Sequence, residues 1–503
     1  MRIGRATLRR GRGQSGIHHR AWSLPVYWGH VAVGMFAVGC LTLLNGELRT
    51  LPVQWLERLV IAFAQVGLMI PLLHYLGLSR PTGLALRSPI AHSARETGIA
   101  LLMIVGLASL LGVRLASAIA DGDTLTHTHG FLSFAPLVAG AMLLSVLIHP
   151  LAALVVSAVL LLGVGLTLNL PPQTLGVVGL AAWASALAIA PMRRRAHMLW
   201  TGVLLSLLLA GASGLLALEA DTAPLQAGSS AFWGAIGGIG AIALFWLGLN
   251  LIERPFRLAT PLTLMELASP EHPLLRELRE KAPGTYFHSQ MVGQLAEEAA
   301  LAIGADPLLA RVAGYYHDIG KLTKPDFYIE NQTTLNAHER INPALSARII
   351  ASHVRDGVDL AHQHRLPIAL CDIIAQHHGT SLITYFYHQA IGDGHDPVLE
   401  QHFRYPGPKP QTREAGIIML ADTVEAATRS LGEMTPARLA NFVHDMIAMR
   451  LEDGQLDEST LTFRDLKRIE EAFVRVLVAS RHRRVEYPNA PTEGTDAYAV
   501  RSG

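Results

Sequence analysis

Cysteine is almost absent from this chain of 503 residues. One of the two cysteines, Cys40, lies in an apolar run, and the other, Cys371, lies far away in the more polar half. Two such distant cysteines cannot form the disulfide framework that stabilises small secreted domains. Cysteine usage therefore gives no indication of an oxidising compartment.

Charged residues are also scarce. They make up 16% of the chain, whereas 50% of the residues are hydrophobic, and the mean hydropathy is +0.31. This balance excludes a purely soluble enzyme, and the apolar residues concentrate in the first half. The sequence therefore predicts a membrane protein that carries a soluble domain.

Acidic residues are missing from the start of the chain. The first twenty residues contain six arginines and no Asp or Glu. A basic segment at 1–25 favours a cytoplasmic N-terminus. No A-x-A cleavage signature follows the first apolar run, which is therefore predicted to be an uncleaved signal anchor rather than a cleaved signal peptide.

A transmembrane bundle is predicted over residues 26–252. It contains about eight apolar runs, each close to the ~20 residues that cross a bilayer core. The predicted spans are 26–45, 58–78, 98–120, 131–149, 151–169, 173–192, 198–218 and 231–252.

The loops between these spans indicate an orientation. The loops at 80–95 and 193–195 each contain three arginines, whereas the loops at 121–123 and 219–221 contain acids and no Lys or Arg. The positive-inside rule then places both termini in the cytoplasm, which an even number of spans requires. A multi-pass protein of the inner or plasma membrane is predicted.

The composition changes after residue 252. Residues 253–282 are predicted to be a juxtamembrane connector, residues 283–482 an all-helical soluble domain, and the polar tail 483–503 disordered. No alternating strand pattern of useful length occurs, so the fold class is all-α. Helix starts are predicted at Thr285 and at the cap-proline pairs 306–307 and 342–343, and helix ends at Gly320, Gly357 and Gly379.

Seven nitrogen and oxygen donors fall on these helices, most of them near helix ends. They are His288, His317, Asp318, His353, His377, His378 and Asp422. Imidazole and carboxylate without thiolate suit iron, manganese or zinc, and two metals bridged by one carboxylate need about this number of ligands. Scattered solvated histidines are the alternative, but two adjacent pairs, 317–318 and 377–378, would then have to end helices by accident.

Residues 261–435 resemble the catalytic domain of the seven-transmembrane HD phosphodiesterases, the membrane-bound family that hydrolyses cyclic di-AMP. The resemblance rests on YYHDIGKLTKP at 315–325 and on seven further segments that together cover about a third of the chain. The other segments are 266–278, 282–289, 327–332, 342–357, 376–390, 404–415 and 419–431.

The resemblance implies a centre of two divalent metal ions, usually iron or manganese. Carried over to this chain, one metal would be held by His288, His317, Asp318 and Asp422. The other would be held by Asp318, His353, His377 and His378, with Asp318 as the bridge. Members that resemble this chain have a large extracytoplasmic domain after the first span, whereas only residues 46–57 join the first two spans here.

Two residues are predicted to be catalytic, Asp318 and Lys321. The metals would lower the pKa of water to roughly 7, and Lys321 would neutralise charge on the phosphoryl oxygens. A solvated lysine at a helix end is the alternative for Lys321. Aromatic and polar side chains are predicted to bind the substrate, although core packing remains open for each tyrosine. These candidates are Tyr328, Asn331, Gln332, Tyr387, Arg404 and Lys409.

Three functions follow from this pattern. The first is a membrane-anchored phosphodiesterase that hydrolyses cyclic di-AMP to pApA in the cytoplasm. The second is a metal hydrolase acting on cyclic di-GMP or another nucleotide, although the GYP signature is absent because His378 is followed by Gly-Thr-Ser. The third is a non-catalytic nucleotide-binding membrane receptor. The lipid bilayer is an expected partner, a DNA or RNA polymer is not, and a homodimer is left open.

Overall fold

A computed structural model describes most of the chain from residue 90 onward. It covers residues 90–119, 130–168, 170–192, 195–220, 223–332, 336–392, 397–429 and 435–480. The basic segment 1–25, the predicted spans 26–45 and 58–78, the loop 46–57 between them and the tail 483–503 lie outside these residues.

The described residues are helical almost throughout, which confirms the all-α prediction for this part of the chain. An antiparallel bridge between Leu382 and Arg404 is the one strand-like pairing found there. The chain divides into two compact units. From residue 90 onward, the apolar unit contains residues 96–191 and 198–247, and the second unit contains residues 90–95, 192–197 and the chain from residue 248 onward.

Seven helices begin in the apolar half. They are α1 (Ile90–Ile119), α2 (Gly130–Ser133), α3 (Ala135–Leu147), α4 (Pro150–Leu168), α5 (Pro172–Ile189), α6 (Arg195–Glu219) and α7 (Pro224–Phe256). Helices α3, α4 and α5 pack against one another, and the hydroxyl of Ser145 on α3 donates to the carbonyl of Ala186 on α5 at 2.6 Å. Serine hydroxyls satisfied in this way suit helices packed in an apolar environment.

The helices follow the last six predicted spans. Three stretches of the described residues are long and apolar enough to cross a membrane: Pro172–Ile189, Ala196–Glu219 and Pro224–Phe256. Three shorter apolar helices, Ala100–Val113, Phe131–Leu147 and Pro150–Leu166, correspond to the third, fourth and fifth predicted spans. A membrane protein is therefore supported, and the count of eight stays a prediction.

The second unit contains ten further α-helices among the described residues. They are α8 (Pro261–Leu267), α9 (Pro273–Lys281), α10 (Pro283–Ile303), α11 (Pro307–Tyr316), α12 (Pro343–Gln363), α13 (Ile368–Gln376), α14 (Thr384–Gly392), α15 (Arg413–Arg429), α16 (Pro436–Glu452) and α17 (Phe463–Ser480). Short 3-10 helices at 319–323, 325–327, 329–331, 337–340 and 397–403 connect them.

Helix α10 is central to this unit, because α9, α11, α15 and α17 all pack against it. The residues of the predicted connector enter the same core: Leu264, Leu274, Leu275 and Leu278 are fully buried in it. Short helices α8 and α9 are therefore integral to the fold of the soluble unit.

Glycine allows the elements around the 317–318 pair to approach closely. A Cβ on Gly314 of α11 would lie 2.4 Å from the Cα of Gly293 on α10. A Cβ on Gly320 would lie 1.9 Å from the carbonyl oxygen of His353 on α12. Both distances are shorter than any real Cβ contact, so only glycine lets α10 and α12 flank the His317–Asp318 turn.

Two of the predicted helix starts are confirmed. The Asp306 side chain accepts from the backbone N–H groups of Leu308 and Leu309, and Asn342 accepts from Leu345 at 2.7 Å. These are ordinary N-caps, each followed by proline. The prediction that Thr285 caps a helix was wrong. Helix α10 begins at Pro283, and the buried Thr285 hydroxyl donates to Glu330 instead.

Predicted helix ends were less accurate. Helix α11 ends at Tyr316, before Gly320, and α12 continues past Gly357 to Gln363. Gly357 lies opposite Gly320, and a Cβ on Gly357 would lie 3.2 Å from the backbone nitrogen of Gly320. Both glycines therefore serve close packing, which a sequence cannot distinguish from a helix stop. Gly379 does follow the end of α13 and has a positive φ of 54°.

Candidate metal centre

The seven predicted donors lie together in the soluble unit. Six of them are buried, and His378 keeps 17% of its side chain exposed. Helices α10, α12 and α15 carry one donor each, and the other four follow the C-terminal ends of α11 and α13. Residues up to 134 positions apart in sequence thus share one polar centre.

The first donor group consists of His288, His317 and Asp318, whose ligand atoms all lie within 4.8 Å of one another. Asp422 adjoins this group, with Oδ1 3.1 Å from Nε2 of His288 and 3.8 Å from Nε2 of His317. Together with Asp422, this group offers four imidazole or carboxylate ligands, a number that matches a protein-bound transition metal.

The second donor group consists of Asp318, His353, His377 and His378, again within 4.8 Å of one another. Asp318 belongs to both groups and divides its oxygens between them. Its Oδ2 lies 3.2 Å from Nε2 of His317, whereas its Oδ1 lies 3.3 Å from Nε2 of His353. This is the arrangement of a bridging carboxylate.

Hydrogen bonds fix the orientation of four imidazole rings. Nδ1 of His317, His353 and His377 donates to the carbonyl of the residue three positions earlier, at 2.6–2.8 Å. Nδ1 of His288 is bound by the carboxylate of Glu425. Because the outer nitrogen carries the proton in each neutral ring, Nε2 presents a lone pair to the centre.

The residues present fit a pair of cations. Nε2 of His317 and Oδ1 of Asp318 are buried and have no hydrogen-bond partner among the described residues. Nε2 of His353 and Nε2 of His377 are only 3.2 Å apart, although both are acceptors when their Nδ1 atoms donate. Converging buried lone pairs cost free energy unless a cation or proton lies between them.

The two donor groups differ in the pKa values of their histidines, which are raised in the first group and lowered in the second. Burial opposes charge on His317, but Asp318 and Asp422 outweigh it and raise the pKa of His317 to about 9. Burial likewise opposes charge on His288, and Asp318, Asp422 and Glu425 raise its pKa well above the usual value. This half of the centre therefore attracts positive charge.

The second group has neutral histidines. Burial, followed by the proximity of His317 and His353, lowers the pKa of His377 to about 3. Burial also lowers the pKa of His353, and burial with the neighbouring His377 lowers that of His378 well below the usual value. Neutral imidazoles are the form that binds metals.

Lys321 lies directly beside the bridge. Its Nζ is 2.7 Å from Oδ2 of Asp318 and 2.8 Å from Oε1 of Glu330, and it lies 5.1 Å from the ring centre of Tyr328. Although burial disfavours the ammonium, the two carboxylates raise its pKa well above the usual value. Lys321 is therefore a fixed positive charge and not a solvated lysine at a helix end.

The centre opens into a cavity of about 760 Å³. Its walls include one carboxylate of the centre, that of Asp422, and the imidazoles of His288, His353 and His378. A set of aromatic rings completes the wall. The rings are those of Phe327, Tyr328, Tyr385, Phe386 and Tyr405. Tyr405 stacks on His378 with ring centres 4.1 Å apart. A volume of this size accommodates a ligand as large as a dinucleotide.

One of the six predicted substrate-binding residues, Tyr328, lines the cavity; the other five have protein partners elsewhere. The side chain of Asn331 pairs with Thr285, and Gln332 donates to the carbonyl of Asp326. Tyr387 packs against Phe403.

The two predicted cationic contacts are also engaged by the protein. Arg404 binds Asp453 and Glu400, and Lys409 donates to the carbonyl of Gly454 at 2.8 Å. Its Nζ also lies 3.7 Å from the carboxylate of Asp457, so residues 454–457 face Lys409. The structure does not bring either cation to the cavity wall.

Sequence reasoning missed Glu425, Tyr405 and Arg450. Glu425 lies three positions after Asp422, so helical spacing alone places both carboxylates on one face of α15. Tyr405 directly follows Arg404 in the segment 404–415. Arg450 lies on α16 outside every matching segment, and no signal in the sequence connects it with the site.

Comparison with known proteins assigns two families to the chain. The HD domain family matches residues 285–427. The family described as a 7TM receptor with intracellular HD hydrolase matches residues 50–260. The first match contains all seven donors, and the second covers the apolar half from residue 50 and ends at residue 260.

Two of the similar proteins carry the same name. The cyclic-di-AMP phosphodiesterase PgpH of Bacillus subtilis (strain 168) is 40% identical over 374 residues, which are 71% of this chain and 51% of that protein. PgpH of Listeria monocytogenes serotype 1/2a (strain 10403S) is 44% identical over 255 residues, 50% of this chain and 35% of that protein. The chain thus spans at most about half the length of these relatives.

A solved structure of the L. monocytogenes PgpH HD domain in complex with cyclic-di-AMP is also similar. It is 44% identical, covers 42% of this chain and 99% of its own, and has a TM-score of 0.41.

Proposed function

The chain belongs to the family of seven-transmembrane receptors with an intracellular HD hydrolase, and we propose on this premise that it is a metal-dependent phosphodiesterase that hydrolyses cyclic di-AMP to pApA. One observation carries the proposal: two donor groups share Asp318, and His288, His353 and His378 of these groups line a cavity of dinucleotide size. The names of the PgpH relatives support cyclic di-AMP as the substrate.

Two divalent ions, iron or manganese, are proposed as the cofactor. His288, His317, Asp318 and Asp422 would hold one, and Asp318, His353, His377 and His378 the other. Bound in this way, divalent ions supply a nucleophile from water at neutral pH and polarise a phosphoryl group.

The chain's own residues bind and orient the substrate. The Lys321 ammonium, held between Asp318 and Glu330, is positioned to neutralise negative charge that develops on the phosphoryl oxygens. Tyr328 lines the cavity as a buried ring, whereas the more exposed rings of Tyr385 and Tyr405 offer surfaces on which adenine can stack, a contact worth about 1–3 kcal/mol per base. Hydrolysis adds water and breaks the bond from phosphorus to the 3′ oxygen of one linkage, which leaves linear pApA.

The whole chain is proposed to be an eight-span protein of the cell membrane. The basic loops support a cytoplasmic location for the N-terminus and for the catalytic domain at 283–482. The assignment of 253–282 as a connector and of 483–503 as a disordered tail belongs to the same proposal. A homodimer is compatible with it, and the mass of the detergent-solubilised chain would measure the oligomeric state.

Turnover of purified chain tests the proposal. With manganese or anaerobic iron, we expect cyclic di-AMP to be converted to pApA and cyclic di-GMP to react more slowly. Asp318→Ala removes the bridge and should lower turnover by well over about 100-fold, more than the loss of a residue that only orients a ligand. Asp359→Ala, on the exposed side of α12, is the matched control.

Three results would contradict this assignment. Full activity of Asp318→Ala would mean that the metal ligands are assigned wrongly. Faster turnover of another cyclic nucleotide would change the substrate. Binding without turnover of any cyclic dinucleotide would favour a receptor.

A further inference from the structure

Three long cationic side chains line the cavity: Lys321, Arg429 and Arg450. Two of them are already neutralised by carboxylates. Lys321 pairs with Asp318 and Glu330, and Nε of Arg429 lies 2.9 Å from Oε1 of Glu425. Both charges thus already have a carboxylate partner within the protein.

Arg450 differs from the other two. It extends from α16, is partly buried, and its Nε donates to the hydroxyl of Thr423 at 3.0 Å. Within the part of the chain that the structure describes, no carboxylate lies within 4.0 Å of its guanidinium, and no hydrogen bond from its terminal nitrogens is found. Burial lowers its pKa by more than the neighbouring acidic groups of Asp422, Tyr405 and Asp453 raise it.

The position of Arg450 relates it to the metal centre. Its partner Thr423 directly follows the donor Asp422, and the Thr423 hydroxyl in turn donates to the carbonyl of Met419 at 2.8 Å. The hydroxyl is therefore fixed, and it holds the guanidinium at the wall of the cavity. The adjoining wall consists of short or flexible apolar side chains, Ala426, Ala427, Met446 and Met449, which leave space beside the charge.

A cyclic dinucleotide brings two phosphodiesters, each with one negative charge. The reacting phosphate is met by the donor groups and Lys321, so its charge is already balanced there. The other phosphate would enter a half-buried site and needs a partner of its own. A planar guanidinium with free terminal nitrogens can bind two phosphate oxygens at once.

We propose that Arg450 binds the phosphodiester that is not hydrolysed, and thereby makes the site selective for substrates with a second phosphate group. This inference rests on the proposed function, because it assumes that a cyclic dinucleotide is the substrate. It adds a specificity-determining residue on α16, outside the region that matches the HD domain family.

Two substrates separate this role from a general effect on catalysis. Cyclic di-AMP carries both phosphates, whereas bis(p-nitrophenyl) phosphate offers one phosphodiester for the metals. In the full-length manganese-loaded protein, Arg450→Ala should lower kcat/KM for cyclic di-AMP about 10- to 100-fold, mainly through KM. The value for bis(p-nitrophenyl) phosphate should stay within about twofold.

Further variants test whether the charge of Arg450 is what matters, and a matched control tests for general effects. Arg450→Gln keeps a donor near Thr423 but removes the charge and should behave like Arg450→Ala, whereas Arg450→Lys should recover part of the selectivity. Arg438→Ala, an exposed arginine at the start of the same helix, is the matched control and should change neither substrate. Metal content of two ions per chain verifies that the centre remains intact in each variant.

Each alternative outcome overturns the inference. Equal losses for both substrates would place Arg450 at the reacting phosphate, and loss of metal in all three Arg450 variants would show a structural role. Unchanged cyclic di-AMP kinetics in Arg450→Ala would remove Arg450 from the site while leaving the proposed function intact. Wild-type protein that hydrolyses bis(p-nitrophenyl) phosphate but not cyclic di-AMP would reject the proposed function as well.

Discussion

At the scale of single residues, the centre depends on side chains that orient other side chains. Asp318 contributes one oxygen to each donor group, and four histidines each use Nδ1 to fix Nε2. Three of those Nδ1 atoms bind backbone carbonyls within their own helical turn. His288 alone depends on a distant side chain, that of Glu425.

Glu425 is therefore expected to affect metal affinity without contacting the metal. Glu425→Gln weakens the charge that orients His288 and also releases Arg429. We expect about a 10- to 100-fold loss of affinity for the first manganese ion, the usual effect of losing a residue that orients a ligand. Titration of the apoprotein with manganese measures it, and Glu452→Gln at an exposed position of α16 is the control. Unchanged affinity would show that His288 is oriented without Glu425.

Asp372 on α13 provides a test of pH dependence. Its Oδ2 is buried without a hydrogen-bond partner among the described residues, and burial raises its pKa from 3.8 to about 6. Between these pH values only the folded state holds the proton, so stability falls as the pH rises through the window. Above pH 6 the ionised carboxylate destabilises the fold.

Asp372→Asn should therefore stabilise the protein at pH 7.5, by about 1–2 kcal/mol. At pH 4 the same substitution should have little effect, because Asp372 is then mostly protonated in the folded state. Thermal unfolding of the detergent-solubilised chain at both pH values measures the difference. Asp359→Asn, an exposed position on α12, is the control. An equal shift at both pH values would point to a cause other than ionisation.

At the scale of elements, the centre forms because helices approach each other through glycine. The chain turns after α11 at His317 and Asp318, and Gly320 then passes directly against α12. This contact lets Nε2 of His353 come within 3.3 Å of Asp318. Packing density in such a contact leaves no room for a methyl group.

Gly320→Ala should consequently separate α12 from the His317–Asp318 turn. His353 would move away from Asp318, so we expect loss of the second metal ion and at least about tenfold lower turnover, since donor geometry is demanding. Metal analysis and kinetics measure both effects. Gly392→Ala, at an exposed helix end where a Cβ meets nothing within 4 Å, is the matched control. Two bound ions in Gly320→Ala would refute this role of the contact.

At the scale of the whole molecule, the chain combines an apolar half with a soluble unit whose buried histidines and aspartates could hold metal ions. The described helices of the apolar half include three that are long enough to cross a membrane. The soluble unit starts its core with α8 and α9, immediately after the last of these helices. The connector is thus packed into the core of the soluble unit instead of being a free linker.

Membrane orientation is testable on the intact chain. We expect the protein to stay with the membrane fraction after alkaline carbonate extraction, because apolar spans cannot be released by removing ionic contacts. A C-terminal tag should be protected from protease in spheroplasts and digested in inverted vesicles. Digestion in spheroplasts would reverse the proposed orientation.

The sequence by itself determined the helical class, the apolar and soluble halves, and the candidate donors, because periodicity, hydropathy and cap-proline pairs are local properties. Tertiary structure alone decided which side chains meet. Arg404 and Lys409 find partners 49 and 45 residues away, and Arg450 reaches the cavity from a segment that no motif marks. Gly320 and Gly357, which resemble helix stops, permit a close contact between elements. Such pairings depend on the packing of helices distant in sequence, and therefore only the folded chain reveals them.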